Sequence, residues 1–128
     1  MTTPAQRFRP HERIKDPADF RRAFDRKRSV SDAVLIVYGA ENGLDHPRLG
    51  ISVARKRVRK ASKRNRIKRL IREAFRLTKA DLPPGLDLVV LPRSPQADFE
   101  AVRNSMAVLG RDAARRLRLP RRAPNASP

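Results

Sequence analysis

The run Lys63-Arg64-Asn65-Arg66-Ile67-Lys68-Arg69-Leu70-Ile71-Arg72-Glu73-Ala74-Phe75 carries the residue types that bind phosphate, at a spacing that fits one helix. Ile67, Leu70, Ile71, Ala74, Phe75 and Thr78 recur at the three- and four-residue intervals of a single apolar stripe, so one face of that helix must be buried. Asn65, Lys68 and Arg72 fall to one side of the stripe and Arg66, Arg69 and Arg76 to the other, with Arg64 in the first turn. The face opposite the stripe is therefore almost wholly cationic. Upstream the basic run continues through Arg55, Lys56, Arg57, Arg59 and Lys60, and no acid occurs between Ala54 and Arg72. A merely solvated face would mix both signs. Pairs such as Arg69 with Glu73, or Glu73 with Arg76, contribute only ~0.2 to 0.5 kcal/mol each, and Lys68 and Arg72 repel at one helical turn. A polyanion relieves that repulsion, and release of its counterions supplies binding free energy.

The composition agrees. Lys and Arg number 31 against 13 Asp and Glu, a formal charge of +18 on 128 residues, which points to RNA or DNA as the partner and to one domain with a modest core. An anionic membrane is the competing polyanion, but no apolar stretch approaches the ~20 residues of a spanning helix. The polar segment from Thr2 to Arg13 has no apolar stretch of the kind a secretory signal needs, so a cytoplasmic location is expected. With no Cys there is no disulfide framework, thiolate nucleophile or Cys-based zinc site.

The elements that must position the cationic helix read as follows. Residues 1–13, with Pro4 and Pro10 among basic side chains, read as a flexible basic arm, 14–119 as one RNA-binding domain, and the Pro-rich 120–128 as a disordered tail. Asp16-Pro17-Ala18-Asp19 is a helix start, predicting a short helix to about Lys27 with Phe20, Ala23 and Phe24 on one face. Residues 33–39 and 48–54 read as strands joined by Glu41-Asn42-Gly43, which predicts an antiparallel hairpin. In the second strand Leu49, Ile51 and Val53 share one face. Arg48, Gly50, Ser52 and Ala54 share the other, a small and polar face open to a ligand. After Pro83-Pro84-Gly85, residues 86–91 supply a further strand ended by Pro92, completing a strand-helix-strand crossover. Ser94 to Leu119 reads as a last helix with Phe99, Val102, Met106, Leu109 and Ala113 inward, stopped by Pro120.

This order of elements, with Asp-Phe-x-x-x-Phe at Asp19 to Phe24, Gly-x-Ser-Val at Gly50 to Val53, a basic loop and the Arg64-Asn65-Arg66 helix, resembles the protein subunit of bacterial ribonuclease P over about Arg13 to Arg116. The resemblance implies an α+β fold: a two-layer α/β sandwich with a four-stranded mixed sheet and a left-handed βαβ crossover, similar to a domain of some ribosomal proteins. Ordinary connection rules would give a right-handed crossover. It implies an endoribonuclease whose catalyst is the RNA subunit, holding Mg2+ mainly on its own phosphates, which removes the 5′ leader of precursor tRNA. The protein alone is expected to be inactive. Carried over, the RNA-subunit contacts are Arg64, Asn65, Arg66, Lys68, Arg69 and Arg72. A cleft between that helix and the sheet would take the single-stranded leader with Phe20, Phe24, Tyr38, Ser52 and Lys56, aromatic faces stacking bases without a sequence requirement. Two readings stand for Phe20 and Phe24, which fit equally as core residues of a short helix. Tyr38 is the only Tyr, and its phenol calls for a polar partner. The loop from Arg57 to Lys63 lacks the Gly often found there, so its carry-over is weaker.

No organic cofactor, membrane or obligate protein partner is implied. The acids are scattered and the two His lie in the arm and in a turn, which does not make a hydrolytic centre. Two other readings remain: a ribosomal or assembly-type RNA-binding protein without a leader cleft, and a DNA-binding protein with the basic helix in a major groove.

Overall fold

The structure, a computed structural model, describes residues 8–119. Its elements are α1 (Pro17–Arg26), β1 (Ser29–Ser31), β2 (Leu35–Glu41), β3 (Arg48–Ile51), α2 (Ala61–Thr78), β4 (Leu86–Pro92) and α3 (Phe99–Arg116). The order in the single sheet is β1-β2-β4-β3, with β2 antiparallel to both neighbours and β3 parallel to β4. This is a mixed four-stranded sheet in an α+β fold, as expected. The strand-helix-strand unit is also as read, since β3 and β4 are parallel neighbours joined through α2.

The expected hairpin between the second and third strands does not form. β4 lies between them, because its run Leu86 to Val90 is buried on both faces and needs a partner on each edge. β1, three residues long and two of them serine, carries no strand signal in the sequence. The last helix is shorter than its apolar pattern suggested. Asp98 caps it by accepting from the Ala101 N–H, which places Ser94 to Ala97 in the preceding connection.

Period-two alternation divides the core. Val30, Leu35, Val37, Leu49, Leu88 and Val90 face α2 and α3, where they meet Ile67, Ile71, Phe75, Val102, Met106 and Ala113. Ala40 and Val89 face the other way and are covered by Ala23 of α1 together with Ile14. α1 begins as its sequence dictates, Asp16 accepting from the Ala18 N–H and Pro17 occupying the first turn, and ends with Lys27 in the left-handed region.

The boundary expected at Ile14 lies inside folded structure. Phe8 packs edge-on against Phe75 with ring centroids 5.4 Å apart, and the Arg13 guanidinium lies 5.0 Å over the Phe8 ring. The Ile14 N–H donates to Leu49 O on the outer edge of β3. Glu12 and Lys79 are both buried, with Lys79 Nζ donating to the two carboxylate oxygens at 2.9 and 2.8 Å. Residues 1–7 of the expected arm and the expected tail, 120–128, lie outside the described residues.

That buried pair generates a test. Lys79→Met leaves the Glu12 carboxylate without its counter-charge and should lower unfolding free energy by about 3 kcal/mol in urea titrations, while adding Glu12→Gln should return much of the loss. A single variant as stable as the wild type would show that the pair does not anchor the N-terminal segment.

Candidate nucleic-acid interface

α2 buries the predicted stripe: Ile67, Ile71, Ala74, Phe75 and Thr78 are buried and Leu70 is half-buried against the same cluster. Glu73 is its one acid, and Arg76 donates to it at 2.9 and 2.6 Å. Along the rest of the helix the cations divide into two sets. Arg64 turns back, its Nη1 donating to the carbonyls of Val58 at 2.9 Å and Arg59 at 2.8 Å, and Val58 is itself buried. The basic loop is thereby fastened to the helix without the Gly that the family pattern favours. Arg66 reaches across to the β4–α3 connection, donating to Pro95 O at 3.2 Å and Ala97 O at 3.1 Å. By contrast Lys63, Asn65, Lys68, Arg69 and Arg72 have no side-chain partner among the described residues, and Lys63, Asn65 and Arg69 are exposed.

Between the fastened loop and the β4–α3 connection lies a cavity of about 510 Å³, lined by Arg57, Val58, Arg59, Lys60, Lys63, Arg66, Pro95 and Gln96. Five of these eight residues are cationic and none is acidic. With no acid in the first turn of α2, the local field favours an anion.

The aromatic residues gather elsewhere. Tyr38 pairs with Ser29 on one side and Val89 on the other, and Val89 pairs in turn with Gly50, so these side chains share the face that α1 covers. Phe24 and Tyr38 meet edge-to-face at 4.9 Å. Phe20 lies directly on Gly50: a Cβ there would fall 2.8 Å from two ring carbons. Only glycine admits that ring. All three aromatics are half-buried, as are Ile36 and Leu91 beside them and Ser52, which strand alternation carries to the same face. Lys56 is exposed on the loop that follows. A cleft between the basic helix and the sheet, as expected from sequence, is therefore not what forms. The aromatic surface lies between α1 and the uncovered half of the sheet, on the face opposite α2, because Val37 and Tyr38 are consecutive and point to opposite sides. Nor is the Arg48, Gly50, Ser52 face wholly open, since Phe20 covers Gly50 and Arg48 is paired with Asp87 at 2.7 Å.

The model of the family described as Ribonuclease P matches residues 8–114. The chain belongs to that family. It is 47% identical over 88 residues to the ribonuclease P protein component of Methylococcus capsulatus, spanning 69% of this chain and 68% of the relative. Against the ribonuclease P protein component of Photorhabdus laumondii it is 42% identical over 88 residues, spanning 69% and 73%. Among solved structures, the RNase P protein of Staphylococcus aureus superposes with a TM-score of 0.70 at 36% identity, covering 80% of this chain and 94% of that one. The RNase P protein from Thermotoga maritima gives 0.68 at 38% identity, covering 78% and 96%.

The two histidines are engaged with each other and with the β2–β3 connection. His46 Nε2 is 3.0 Å from His11 O, its Nδ1 is 2.7 Å from Asp45, and the two imidazoles stack edge-on at 4.8 Å. His46 holds Asp45 below the ordinary carboxylate range by hydrogen bonding and by its charge. Among the described residues no three carboxylates or imidazoles come together in a group that could hold a metal ion. No described helix is long and apolar enough to cross a membrane. Arg57, Arg59, Lys60 and Lys63 are not recognisable as a cavity wall from sequence, because only the folded β4–α3 connection supplies the other side.

Arg64→Met should free the loop while leaving the α2 core intact. Hydrogen exchange at the Arg57 and Val58 amides, which donate to Ala54 O, should rise about ten-fold or more with a change in global stability within about 1 kcal/mol. Unchanged exchange at those two amides would show that Arg64 does not hold the loop.

Proposed function

We propose that this chain binds the catalytic RNA of ribonuclease P through α2 and its basic loop. It binds the single-stranded 5′ leader of precursor tRNA in the aromatic cleft under α1, and so assists endonucleolytic removal of the leader in the cytoplasm. The observation that carries the reading is the separation of two unlike surfaces by one sheet. Lys63, Asn65, Lys68, Arg69 and Arg72 stand without protein partners on the α2 side, whereas Phe20, Phe24 and Tyr38 converge on the other. The first is suited to structured RNA, whose phosphates satisfy several cations at once. The second is suited to single-stranded bases, which stack on aromatic rings at about 1 to 3 kcal/mol each.

In this reading the two ends of the substrate region are held by one rigid body, which raises the effective concentration of the leader at the RNA subunit. Mg2+, held mainly by RNA phosphates, would supply the activated water and charge neutralisation of hydrolysis. The protein's own groups bind and orient. Arg64 and Arg66 hold the shape of the cationic surface, Lys68, Arg69 and Arg72 present charge, Asn65 gives and accepts hydrogen bonds, and Ser52 and Lys56 border the path of the leader.

The test mixes purified protein with a bacterial ribonuclease P RNA at low Mg2+ and physiological salt and measures 5′-end cleavage of a precursor tRNA against each component alone. Cleavage only in the mixture is expected. Folded protein that gives no stimulation with a cognate RNA would return the chain to a ribosomal or assembly-type RNA-binding role. Arg69→Ala should weaken binding of the RNA subunit and reduce the salt slope by about 1. Tyr38→Ala should instead lower affinity for leader-bearing substrate by about 1 to 3 kcal/mol and leave mature tRNA unaffected. Equal losses on both substrates would remove Tyr38 from the cleft.

A further inference from the structure

The edge of α1 away from the aromatic cleft is fixed by one buried anion. Asp87 has no exposed surface, yet it sits in the apolar run of β4. Its Oδ1 accepts from Asn42 Nδ2 at 2.8 Å and from Arg48 Nε at 2.8 Å, and its Oδ2 accepts from Arg48 Nη2 at 2.7 Å and Arg22 Nη2 at 2.9 Å. Asp19 closes the circuit, lying 3.0 Å from Arg22 Nη1 and 3.4 Å from Arg48 Nη2. A single carboxylate thus joins β4, β3, the β2–β3 connection and, through Arg22, α1, with Asp19 of α1 reached by way of Arg22 and Arg48.

The helical spacing of α1 turns this circuit into leverage. Arg22 and Arg26 form one row, the second held to Glu41 through two hydrogen bonds of 3.1 Å, and Phe20 and Phe24 form another. Ala23 lies beneath, fully buried against the sheet. Small as it is, Ala23 leaves the roll of a ten-residue helix to be set by what grips its sides. Buried ion pairs of this kind are often replaceable by apolar residues at no loss of stability, but a forked guanidinium on a fixed carboxylate admits one orientation.

We infer that Asp87, through Arg22 and Arg48, is a positioning residue for the leader cleft, setting how far Phe20 and Phe24 stand over Tyr38 and the open half of the sheet. The inference rests on the leader-binding reading above. It places the control of leader affinity in a residue that never touches RNA.

The test uses holoenzyme reconstituted with an RNA subunit that the protein activates. Affinities for leader-bearing precursor tRNA, for mature tRNA and for the RNA subunit are measured for Asp87→Asn, Arg22→Met, Arg22→Lys and Tyr38→Ala. Asp87→Asn and Arg22→Met should each weaken precursor binding about five-fold, leave the other two affinities unchanged, and keep the wild-type salt slope of precursor binding. Arg22→Lys, which keeps the charge but not the fork, should recover little of the loss. Arg22 is 47% exposed, so Arg22→Met decides the matter if Asp87→Asn fails to fold. Wild-type precursor affinity in both variants, with Tyr38→Ala still selective, overturns the positioning role alone. A reduced salt slope in Arg22→Met would make Arg22 a direct phosphate contact and overturn it too. If Tyr38→Ala is itself unselective, the cleft reading fails and the inference falls with it.

Discussion

Two-sided burial of β4 is the constraint on which the rest of the molecule depends. Every residue from Leu86 to Val90 is buried, so the strand must have a neighbour on each edge and a cover on each face. Its edges are met by β2 and β3, which drives those two strands apart although they follow one another in the chain. On one face the cover is α2 and α3, brought together through Ile67, Ile71, Phe75, Val102 and Met106. On the other it is α1, ten residues long, together with Ile14, and the part of the sheet that these do not reach is where Tyr38, Ile36 and Leu91 stay half-exposed. The half-buried aromatic surface is thus the remainder left when a short helix covers a wider sheet.

The charge distribution follows from the same arrangement. Outside α2 and its loop several acids are held by specific basic partners: Glu12 by Lys79, Asp19 and Asp87 by Arg22 and Arg48, and Glu41 by Arg26. Arg26 pulls Glu41 below the ordinary carboxylate range through a hydrogen bond and its charge. Asp87 raises Arg48 further, chiefly by hydrogen bonding. None of these acids is placed to neutralise residues 55–72, which carry eleven Lys and Arg and no acid, so more than half of the +18 excess falls on this one segment. Repulsion there is a local matter of exposed groups in water, screened by salt, and a polyanion removes it on contact.

Local features were legible in the sequence and non-local ones were not. The stripe of α2 could be read because one helix buries one face, and Asp16-Pro17 announced α1 because a cap and its helix are adjacent. Strand order could not be read, since a turn at Asn42-Gly43 suits either a hairpin or a connection passing the end of a third strand. The folding of Phe8 and Glu12 onto the domain depends on Phe75 and Lys79, more than sixty residues away, and a Pro-bearing basic segment gives no hint of them. An acid inside an apolar strand was the available sign of the Asp87 circuit, but its partners lie on three other segments. The family motif names the aromatics without giving their side of the sheet, because a motif fixes identity along the chain and alternation fixes the face.

The same limit explains the unexpected behaviour of Arg64 and Arg66. A sequence pattern can require arginine at both positions without saying where the guanidinium points, and here each is anchored to backbone carbonyls. Carbonyls leave no trace in sequence. An arginine has five donors in a rigid fork, so one or two bonds to the protein leave others free while fixing the plane of the group. That combination holds Arg57, Arg59, Lys60 and Lys63 around a shared cavity before any partner arrives. Lysine at either position would supply charge without the fork, and the cationic wall would have to be ordered at the moment of binding, at a cost of about 0.5 to 1.5 kcal/mol for each side chain immobilised. The requirement for arginine here is therefore as much about the shape of the free protein as about phosphate.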